Sequence, residues 1–298
     1  MNTVKMQDIV FSKEIFNPMK TNTPIDDMFS FEGGIFPATN YMIIGDPGSG
    51  KTTLGLDVLA QVQATQKDRK VLFISAEMNK IDMFGFAKRY PKFDTIDILF
   101  TGEFMEENIS EIIEAELKKG YDLVLADSFM EIQESVMESN SKSRNQAEKW
   151  IIDLMNKHNL GGNKNHVYTA FLMIQQVTKG GLFAGSNKLK HNTTGMCELK
   201  MSKDFNGERY VTFTKNRRGS KHERLFYSLE SNDHVIYNQK RLDRDIHVKK
   251  LQKQEENTIS KDQEEFDKLL DSLPKEINLP NKTEKSIIET DFNDDLPF

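Results

Sequence analysis

An eight-residue glycine-rich stretch constrains this chain more than any other part of its sequence. Residues 45–52 read Gly-Asp-Pro-Gly-Ser-Gly-Lys-Thr, which is the pattern Gly, four residues, Gly, Lys and Ser or Thr of a phosphate-binding loop. Gly48 and Gly50 can adopt backbone angles closed to other residues, so successive N–H groups can turn inward around a phosphate. Lys51 would neutralise the β- and γ-phosphates of ATP, and the Thr52 hydroxyl would bind Mg²⁺.

The residues on either side of the loop distinguish a nucleotide site from a chance glycine-rich turn. Residues 41–44 form an apolar run typical of a buried strand, and residues 52–63 carry apolar side chains at helical spacing. A helix that starts at the loop would point the positive end of its dipole at the phosphates. The sequence therefore predicts a loop that binds ATP together with Mg²⁺. Its members are Gly45, Asp46, Pro47, Gly48, Ser49, Gly50, Lys51, Thr52 and Thr53.

The composition excludes several other classes of protein. The chain has 298 residues, which is room for one large α/β domain with extensions or for two small domains. A single cysteine, Cys197, allows neither a disulfide framework nor a four-cysteine zinc ribbon within one chain, and the six histidines show no metal-binding spacing. No apolar run reaches membrane-spanning length, and residues 1–13 lack the apolar core of a signal peptide. We therefore expect a cytoplasmic protein with no membrane partner.

Negative charge is concentrated at the end of the chain. The formal net charge is −6, but residues 255–298 alone hold thirteen acidic and five basic residues. The preceding residues hold 33 acidic and 35 basic residues, so this larger part is close to neutral. The division predicts an acidic interaction tail on a separate domain, so the net charge of the whole chain does not argue against a nucleic-acid partner.

Strand patterns alternate with helix patterns over most of the chain, and three strand patterns then follow without helices between them. This order predicts an α/β fold with a mainly parallel central sheet flanked by helices and with antiparallel edge strands. The predicted organisation is an irregular lead-in at 1–40, a core at 41–238 and a charged, largely disordered tail at 239–298, in which 251–272 could form a helix. The predicted strands are 41–44, 71–75, 96–100, 122–126, 169–174, 197–201, 210–214 and 225–229, the predicted helices are 52–63, 81–90, 109–119 and 145–159, and the predicted loops include 141–144 and 177–192.

Three polar residues that follow predicted strands are candidates for the chemistry of ATP hydrolysis. Asp127 follows the strand at 122–126, where its carboxylate could hold Mg²⁺ through water; the alternative is a carboxylate that caps a turn. Glu77 follows the strand at 71–75 and is the candidate general base for the attacking water, because strand ends converge on the ligand in such sheets. A solvated loop residue is the alternative for Glu77. Gln176 follows a third strand and could sense the γ-phosphate, or it could be an ordinary polar strand terminus.

The arrangement of these residues and of the motifs after them resembles the RecA superfamily, and within it the bacterial RadA/Sms group. The superfamily features are Glu77 after the second strand and Gln176 before a basic loop. The resemblance spans about residues 20–230 and implies the RecA-like ATPase fold. The group features are Val177-Thr178-Lys179, Ala184-Gly185, Lys188-Leu189-Lys190-His191 and Lys215-Asn216-Arg217-Arg218-Gly219, the last of which corresponds to the KNRFG signature of the group.

The resemblance implies a DNA-stimulated ATPase that forms homo-oligomeric rings or filaments with ATP at the subunit interfaces. Lys215 and Arg217 would project into the ATP site of the neighbouring subunit, where a fixed cation stabilises charge on the transferred phosphoryl group. The alternative is a basic strand edge kept for solubility. Single-stranded or branched DNA would be held through its phosphates with little sequence preference. The residues implied for this contact are Lys142, Arg144, Lys179, Lys188 and Lys190, for which solvated loop positions are the alternative.

The sequence also departs from the RadA/Sms pattern. It lacks the zinc ribbon that precedes the core in that group, and an acidic tail stands where the group has a protease-like C-terminal domain. Arg218 stands where the group has Phe, and Thr194 stands where Asp is expected. These differences bear on helicase-type activity more than on ATP hydrolysis.

Residues 291–298 resemble the acidic tip that ends bacterial single-stranded DNA-binding proteins, in which acidic residues precede a hydrophobic-Pro-Phe terminus. Asp294 and Asp295 would steer the tip toward a positive surface, and Phe298 would fill an apolar pocket. Pro297 would limit the freedom of the unbound chain and so reduce the ordering cost. The resemblance implies docking to replication or repair proteins, or onto the protein's own basic loops. An incidental acidic tail is the alternative.

Three functions are compatible with this sequence. The first is a DNA-dependent ATPase of recombination, repair or replication. The second is a strand-exchange recombinase or a relative of the replicative helicases, which share the same motor core. The third is an ATP-gated adaptor that hydrolyses ATP slowly and recruits partners through its tail. DNA-stimulated turnover, D-loop formation, and near-zero turnover with tight partner binding would distinguish the three.

Overall fold

A nine-stranded sheet lies at the centre of the computed structural model, which describes residues 3–104, 106–177, 186–202, 207–229 and 235–272. Within these ranges the strands are β1 (Asn40–Gly45), β2 (Val71–Ser75), β3 (Asp97–Phe100), β4 (Leu123–Asp127), β5 (Ala170–Gln176), β6 (Gly195–Met201), β7 (Arg209–Asn216), β8 (Leu225–Leu229) and β9 (Val235–Tyr237). The helices are α1 (Asp26–Phe29), α2 (Lys51–Thr65), α3 (Lys80–Arg89), α4 (Ile109–Leu117), α5 (Phe129–Asn140), α6 (Arg144–Asn159), α7 (Asn187–Asn192) and α8 (Gln239–Ser272).

The sheet combines a parallel part with an antiparallel edge. Its strand order is β3-β2-β4-β5-β1-β6-β7-β8-β9. Strands β1 to β6 pair in parallel, whereas β7, β8 and β9 each pair antiparallel with the strand before them. This arrangement confirms the predicted α/β fold with a mainly parallel sheet and antiparallel strands at one edge.

Successive residues of β1 pack into different layers. Tyr41 and Ile43 join an apolar cluster with α2, whereas Met42 and Ile44 join a cluster with α4, α5 and α6. Every residue of β1, β2 and β4 is buried. Parallel strands covered on both faces by helices read as continuous apolar runs, which is why the sequence shows no polar alternation in these segments.

Part of the predicted lead-in belongs to the core. Met19 and Ile35 form an isolated antiparallel bridge before β1. The ring of Phe29 packs edge-on against Tyr41, with ring centroids 5.1 Å apart, and against Phe213 at 5.6 Å. The packed core therefore includes residues from Met19 onward, earlier than the boundary that the sequence predicts at residue 41.

Helix α5 lies where the sequence predicts no element. It begins after Ser128, whose hydroxyl accepts a hydrogen bond from the backbone N–H of Glu131 at 3.4 Å. Phe129, Ile132 and Val136 are its buried apolar residues, at helical spacing. The polar residues between them weaken the periodic signal, and only contact with the sheet identifies the buried stripe.

Helix α7 corrects the prediction of an uninterrupted loop at 177–192. The Ser186 hydroxyl accepts a hydrogen bond from the backbone N–H of Leu189 at 3.1 Å and so caps the helix. Leu189 is buried in the same cluster as Met42, and this burial anchors the short helix. Lys188 and Lys190 therefore lie on a helix rather than in a loop.

The charged segment at the end of the chain also differs from its prediction. Helix α8 starts at Gln239, whereas the sequence predicts a helix only over 251–272. Contacts divide the chain into a unit that ends at His247, which contains the sheet, and a second unit that starts at Val248 and is helical to Ser272. No helix among the described residues is both long and apolar enough to cross a membrane. The predicted docking residues Asp294, Asp295, Pro297 and Phe298 lie outside the described residues.

Candidate nucleotide site

The glycine-rich loop connects β1 to α2 at the carboxyl edge of the parallel strands. Gly48 and Gly50 have φ angles of 75° and 94°, in the left-handed region that favours glycine. A side chain on Gly50 would also meet a methyl carbon of Leu229 at 2.7 Å. None of the described side chains caps the start of α2 at Lys51. The N–H groups of its first turn therefore remain available to a phosphate.

Lys51 is buried inside this loop. Its Nζ donates hydrogen bonds to the carbonyl oxygens of Gly45 at 2.9 Å and Asp46 at 3.0 Å. Burial lowers the pKa of the ammonium group, while the carboxylates of Asp127 and Glu77 oppose that shift. The loop carbonyls hold the cation beside these two acidic groups, where it can pair with an incoming phosphate.

Thr52 and Asp127 form a pair of oxygen donors next to the loop. The Thr52 hydroxyl donates a hydrogen bond of 2.5 Å to Asp127 Oδ2. Burial raises the pKa of Asp127 to about 6, and the hydrogen bond from Thr52 partly offsets this rise. No cluster of three or more His, Cys, Asp or Glu residues occurs in the part of the chain that the structure describes. A hydroxyl and a carboxylate suit Mg²⁺, which prefers oxygen ligands and usually takes the remainder from water and substrate phosphates.

Glu77 and Gln176 meet across the same edge of the sheet. The Gln176 amide Nε2 donates a hydrogen bond to Glu77 Oε1 at 3.3 Å. Glu77 comes shortly after β2, and Gln176 is the last residue of β5. These two strands are not neighbours, because β4 lies between them. The structure thus brings together the two residues that the sequence proposes as general base and γ-phosphate sensor.

One open cavity of about 460 Å³ contains all of these groups. The space where the phosphates of a nucleotide would lie is surrounded by the loop residues, Glu77, Asp127 and Gln176. The cavity is also lined by residues that the sequence analysis does not identify. These are Phe86, Arg89 and Tyr90 around the end of α3, Arg209 on β7 and Leu229 on β8.

Phe86 and Arg89 give the cavity an apolar and a cationic side chain. The Arg89 guanidinium lies 5.4 Å from the centroid of the Tyr90 ring, which is buried and stacked on Phe93. Phe86 and Tyr90 stand four residues apart after Glu77, and this aromatic pair is the local signal that the sequence offers. Arg209 and Leu229 have no such signal, because they come from strands far along the chain.

Tyr227 contacts the backbone of the glycine-rich loop. Its hydroxyl donates a hydrogen bond to the Ser49 carbonyl oxygen at 3.0 Å. The side chain is buried on β8, one strand away from Arg209 in the β7–β8 pair. The antiparallel edge of the sheet therefore contributes directly to the shape of the phosphate-binding loop.

Lys215 and Arg217 lie away from the nucleotide cavity of their own chain. Lys215 Nζ donates to the carbonyl oxygens of Lys190, His191 and Thr193 at 2.6, 3.2 and 2.6 Å. Arg217 donates to the His191 carbonyl oxygen at 2.9 Å. Both cations therefore sit at the end of α7, and neither lines the cavity around the glycine-rich loop.

The remaining basic candidates are distributed over two neighbouring helices. Arg144 begins α6, and Lys142 just before it lies 5.7 Å from the Trp150 ring. Lys188 and Lys190 are exposed on α7. Lys190 lines a cavity of about 500 Å³ with Lys200, which is paired with Glu198. Lys179 lies outside the described residues.

The chain is similar to a known family over most of its length. A family model described as "ATPase: KaiC" matches residues 19–243. The DNA repair protein RadA of Listeria monocytogenes is 31% identical over 196 residues, which are 64% of this chain and 39% of that protein. RadA of Streptococcus pneumoniae is 28% identical over 204 residues, which are 67% of this chain and 44% of that protein. The chain therefore spans less than half of the length of these relatives, and the predicted resemblance to the RadA core is confirmed.

A solved structure with the same fold supports this result. The crystal structure of a KaiC-like protein from Pyrococcus horikoshii matches with a TM-score of 0.55 and 16% identity, over 74% of this chain and 99% of the other. At this identity the match shows the fold.

Proposed function

The chain belongs to the KaiC family of ATPases, and on this premise we propose that it is a DNA-stimulated, Mg²⁺-requiring ATPase of DNA repair or recombination. The observation that carries the proposal is the hydrogen bond between Gln176 and Glu77 in the nucleotide cavity. The residue after Gln176, Val177, lines a cavity whose charged residues are Asp46, Lys190, Glu198 and Lys200. A group that can respond to ATP is thus one peptide bond away from a cavity that contains exposed Lys190, one of the proposed phosphate contacts.

Glu77 is the proposed general base for hydrolysis. It follows β2 beside Lys51 and Asp127, and it can accept a proton from a water aligned with the γ-phosphate. Gln176 is the proposed sensor, because its amide would exchange the bond to Glu77 for one to a γ-phosphate oxygen. Loss of that phosphate would let the amide return to Glu77 and shift the end of β5.

Thr52 and Asp127 are the proposed holders of Mg²⁺. The hydroxyl and the carboxylate are already adjacent, and the bound nucleotide would supply the other oxygen ligands. When bound, the ion would neutralise part of the charge on the β- and γ-phosphates. Lys51 would supply the other positive charge at the same position.

Lys215 and Arg217 are proposed to act on the nucleotide of a neighbouring subunit in a ring or filament. In the sheet, Lys215 pairs with Met196, and Met196 pairs with Met42. Lys215 is therefore in register with Met42, which lies several residues before Gly45, where β1 ends and the glycine-rich loop begins. The two cations therefore cannot complete the site of their own chain without rearrangement, which favours action in trans.

The DNA-repair assignment is supported by the relatives, which are named as DNA repair proteins. Exposed Lys188 and Lys190 on α7 and Arg144 on α6 are the proposed phosphate contacts among the described residues. Lys142 and Lys179 complete the set proposed from the sequence. Docking of residues 291–298 to replication or repair proteins stays part of the proposal, because it depends on their sequence.

Measurement of ATP turnover with and without single-stranded DNA tests the proposal directly. We expect Mg²⁺-dependent turnover that rises when DNA is added. Lys51→Ala is the negative control, because a side chain without the ammonium group cannot pair with the phosphates. Turnover that DNA leaves unchanged, together with no detectable DNA binding, would remove DNA from the proposed function. Absence of turnover with retained ATP binding would favour the adaptor instead.

A further inference from the structure

Another polar cavity lies on the face of the sheet that α5 and α6 cover. Its volume is about 270 Å³, and it lies between β5, the start of α5 and the start of α6. Neither the family assignment nor the proposed hydrolysis uses it. The residues that line it are Phe129, Gln133, Arg144, Asn145, Glu148, Gln175 and Ser186.

Gln175 is the central feature of this cavity. The residue is 1% exposed, and its side-chain Oε1 has no hydrogen-bond donor among the described residues. Buried amide oxygens are nearly always paired in folded proteins, because an unpaired one loses its hydrogen bond to water without replacement. A ligand with an N–H group could supply the missing donor.

The groups around Gln175 are held in fixed positions. The Gln133 amide Nε2 donates to the backbone carbonyl of Arg144 at 3.1 Å, which joins α5 to the start of α6. The Ser186 hydroxyl donates to Glu148 Oε1 at 2.5 Å, which joins the segment before α7 to α6. Within the described ranges, Gln175 Oε1 is a buried acceptor in the lining of the cavity that none of these bonds pairs.

The polar and apolar groups of the cavity suit a nucleobase, and Arg144, which lines the cavity together with Glu148, is its cationic residue. Phe129 gives an apolar wall, and Gln175 gives an acceptor for the N–H groups on the edge of a base. Arg144 and Asn145 are exposed at the mouth, where a guanidinium can pair with the adjoining phosphate. An unstacked base offers both a flat apolar face and hydrogen-bonding edges, which is how single strands are read by proteins.

We propose that this cavity receives one unstacked base of bound single-stranded DNA, whose edge donates to Gln175 Oε1 while Arg144 contacts the neighbouring phosphate. The inference rests on the proposed DNA-binding function. The proposed base contact would also be linked to the ATP site through adjacent residues of β5. Successive side chains of a strand point to opposite faces, so Gln175 faces this cavity while Gln176 faces Glu77.

The test compares a base-containing oligonucleotide with one of the same length built from abasic residues, which keeps the phosphates and removes the bases. Binding of both to the full chain is measured by fluorescence anisotropy in the presence of a non-hydrolysable ATP analogue. Asn145→Trp fills the mouth of the cavity from an exposed position. Lys149→Trp is the matched control, because Lys149 is also exposed on α6 but does not line the cavity.

We expect wild type to prefer the base-containing strand by about tenfold or more, since a well-held base contributes that much to binding. The preference should fall by about threefold or more in Asn145→Trp and remain in Lys149→Trp. Gln175→Met, checked for folding by circular dichroism, should lose the preference in the same way without altering the salt dependence.

Two outcomes would overturn the proposal, and they are distinguishable. If wild type binds neither oligonucleotide, the proposed DNA-binding function fails and the base site fails with it. If DNA binds but Asn145→Trp keeps the full preference for bases, the DNA function stands and this cavity is not the base site. Because Asn145 is exposed, the second result does not depend on whether Gln175→Met folds.

Discussion

The Gln176 side-chain amide donates a hydrogen bond to Glu77 at 3.3 Å, although β4 separates β5, which ends at Gln176, from β2, which precedes Glu77. The intervening strand ends at Asp127, whose backbone carbonyl accepts the N–H of Ala76 at 2.7 Å. The ends of three strands are therefore tied together around one cavity. This relationship brings the candidate base Glu77, the proposed Mg²⁺-binding carboxylate of Asp127 and the proposed phosphate sensor Gln176 to one edge of the sheet.

Glu77→Gln should separate ATP binding from hydrolysis. The amide keeps the size of the side chain but cannot accept a proton, so turnover should fall by about 10²–10⁴-fold while nucleotide affinity is retained. Steady-state turnover and nucleotide titration measure the two effects. Glu106→Gln is the matched control, since Glu106 is exposed and lies outside the cavity. Normal turnover in Glu77→Gln would mean that another group activates the water.

Tyr227→Phe should weaken ATP binding without unfolding the protein. The change removes the hydroxyl that holds the Ser49 carbonyl oxygen and keeps the buried ring. Loss of one such bond is worth about 0.5–1.5 kcal/mol, which corresponds to roughly 2–10-fold in affinity. Nucleotide titration checks this, with Tyr210→Phe on β7 as the control. Equal affinity in wild type and Tyr227→Phe would show that the loop keeps its shape unaided.

Arg217→Ala and Lys51→Ala should each be inactive alone and partly active when mixed. If Arg217 acts on the neighbouring site, a mixed assembly contains interfaces that pair an intact loop with an intact cation. ATP turnover of the mixture is compared with that of each variant alone. The control is a chain that carries both substitutions. Assembled alone, it has no interface with an intact loop and an intact cation, and it should stay inactive. Full activity of wild type in a dilute sample shown to be monomeric would count against action in trans.

Lys188→Ala combined with Lys190→Ala should weaken DNA binding and flatten its dependence on salt. Each phosphate contact that is lost should reduce the slope of log affinity against log salt by roughly one unit. Binding isotherms at several salt concentrations measure this slope. Lys118→Ala with Lys164→Ala, two exposed lysines away from α7, is the matched control. An unchanged slope in the α7 variant would place the DNA contact elsewhere.

Deletion of Phe298 should abolish docking of partner proteins that read acidic tips and leave basal ATP turnover intact. The aromatic ring would otherwise occupy an apolar pocket with a basic rim. A pull-down with purified replication or repair proteins measures the loss. Retention of the same partners by the shortened chain would refute the docking role of the tip.

Local sequence was sufficient for the phosphate-binding end of the site and for most of the sheet. The glycine-rich loop is recognisable because its phosphate-binding residues, Gly48, Gly50 and Lys51, lie within a few positions of one another in the sequence. The buried strands are recognisable because helices cover both of their faces, which requires continuous apolar runs. Helix α5 was missed because its apolar stripe is interrupted by Glu and Ser, and α7 because it is too short for periodicity to show.

The sequence by itself determined the family, the nucleotide loop and the identities of Glu77, Asp127 and Gln176 as candidates. Only the tertiary structure decided that Gln176 reaches Glu77, that Arg209 and Leu229 line the same cavity, and that Gln175 lines a separate one. Strand order is set by packing between segments far apart in the chain, and no local pattern encodes which strand ends become neighbours. The distances that make these residues one site therefore arise only when the sheet is assembled.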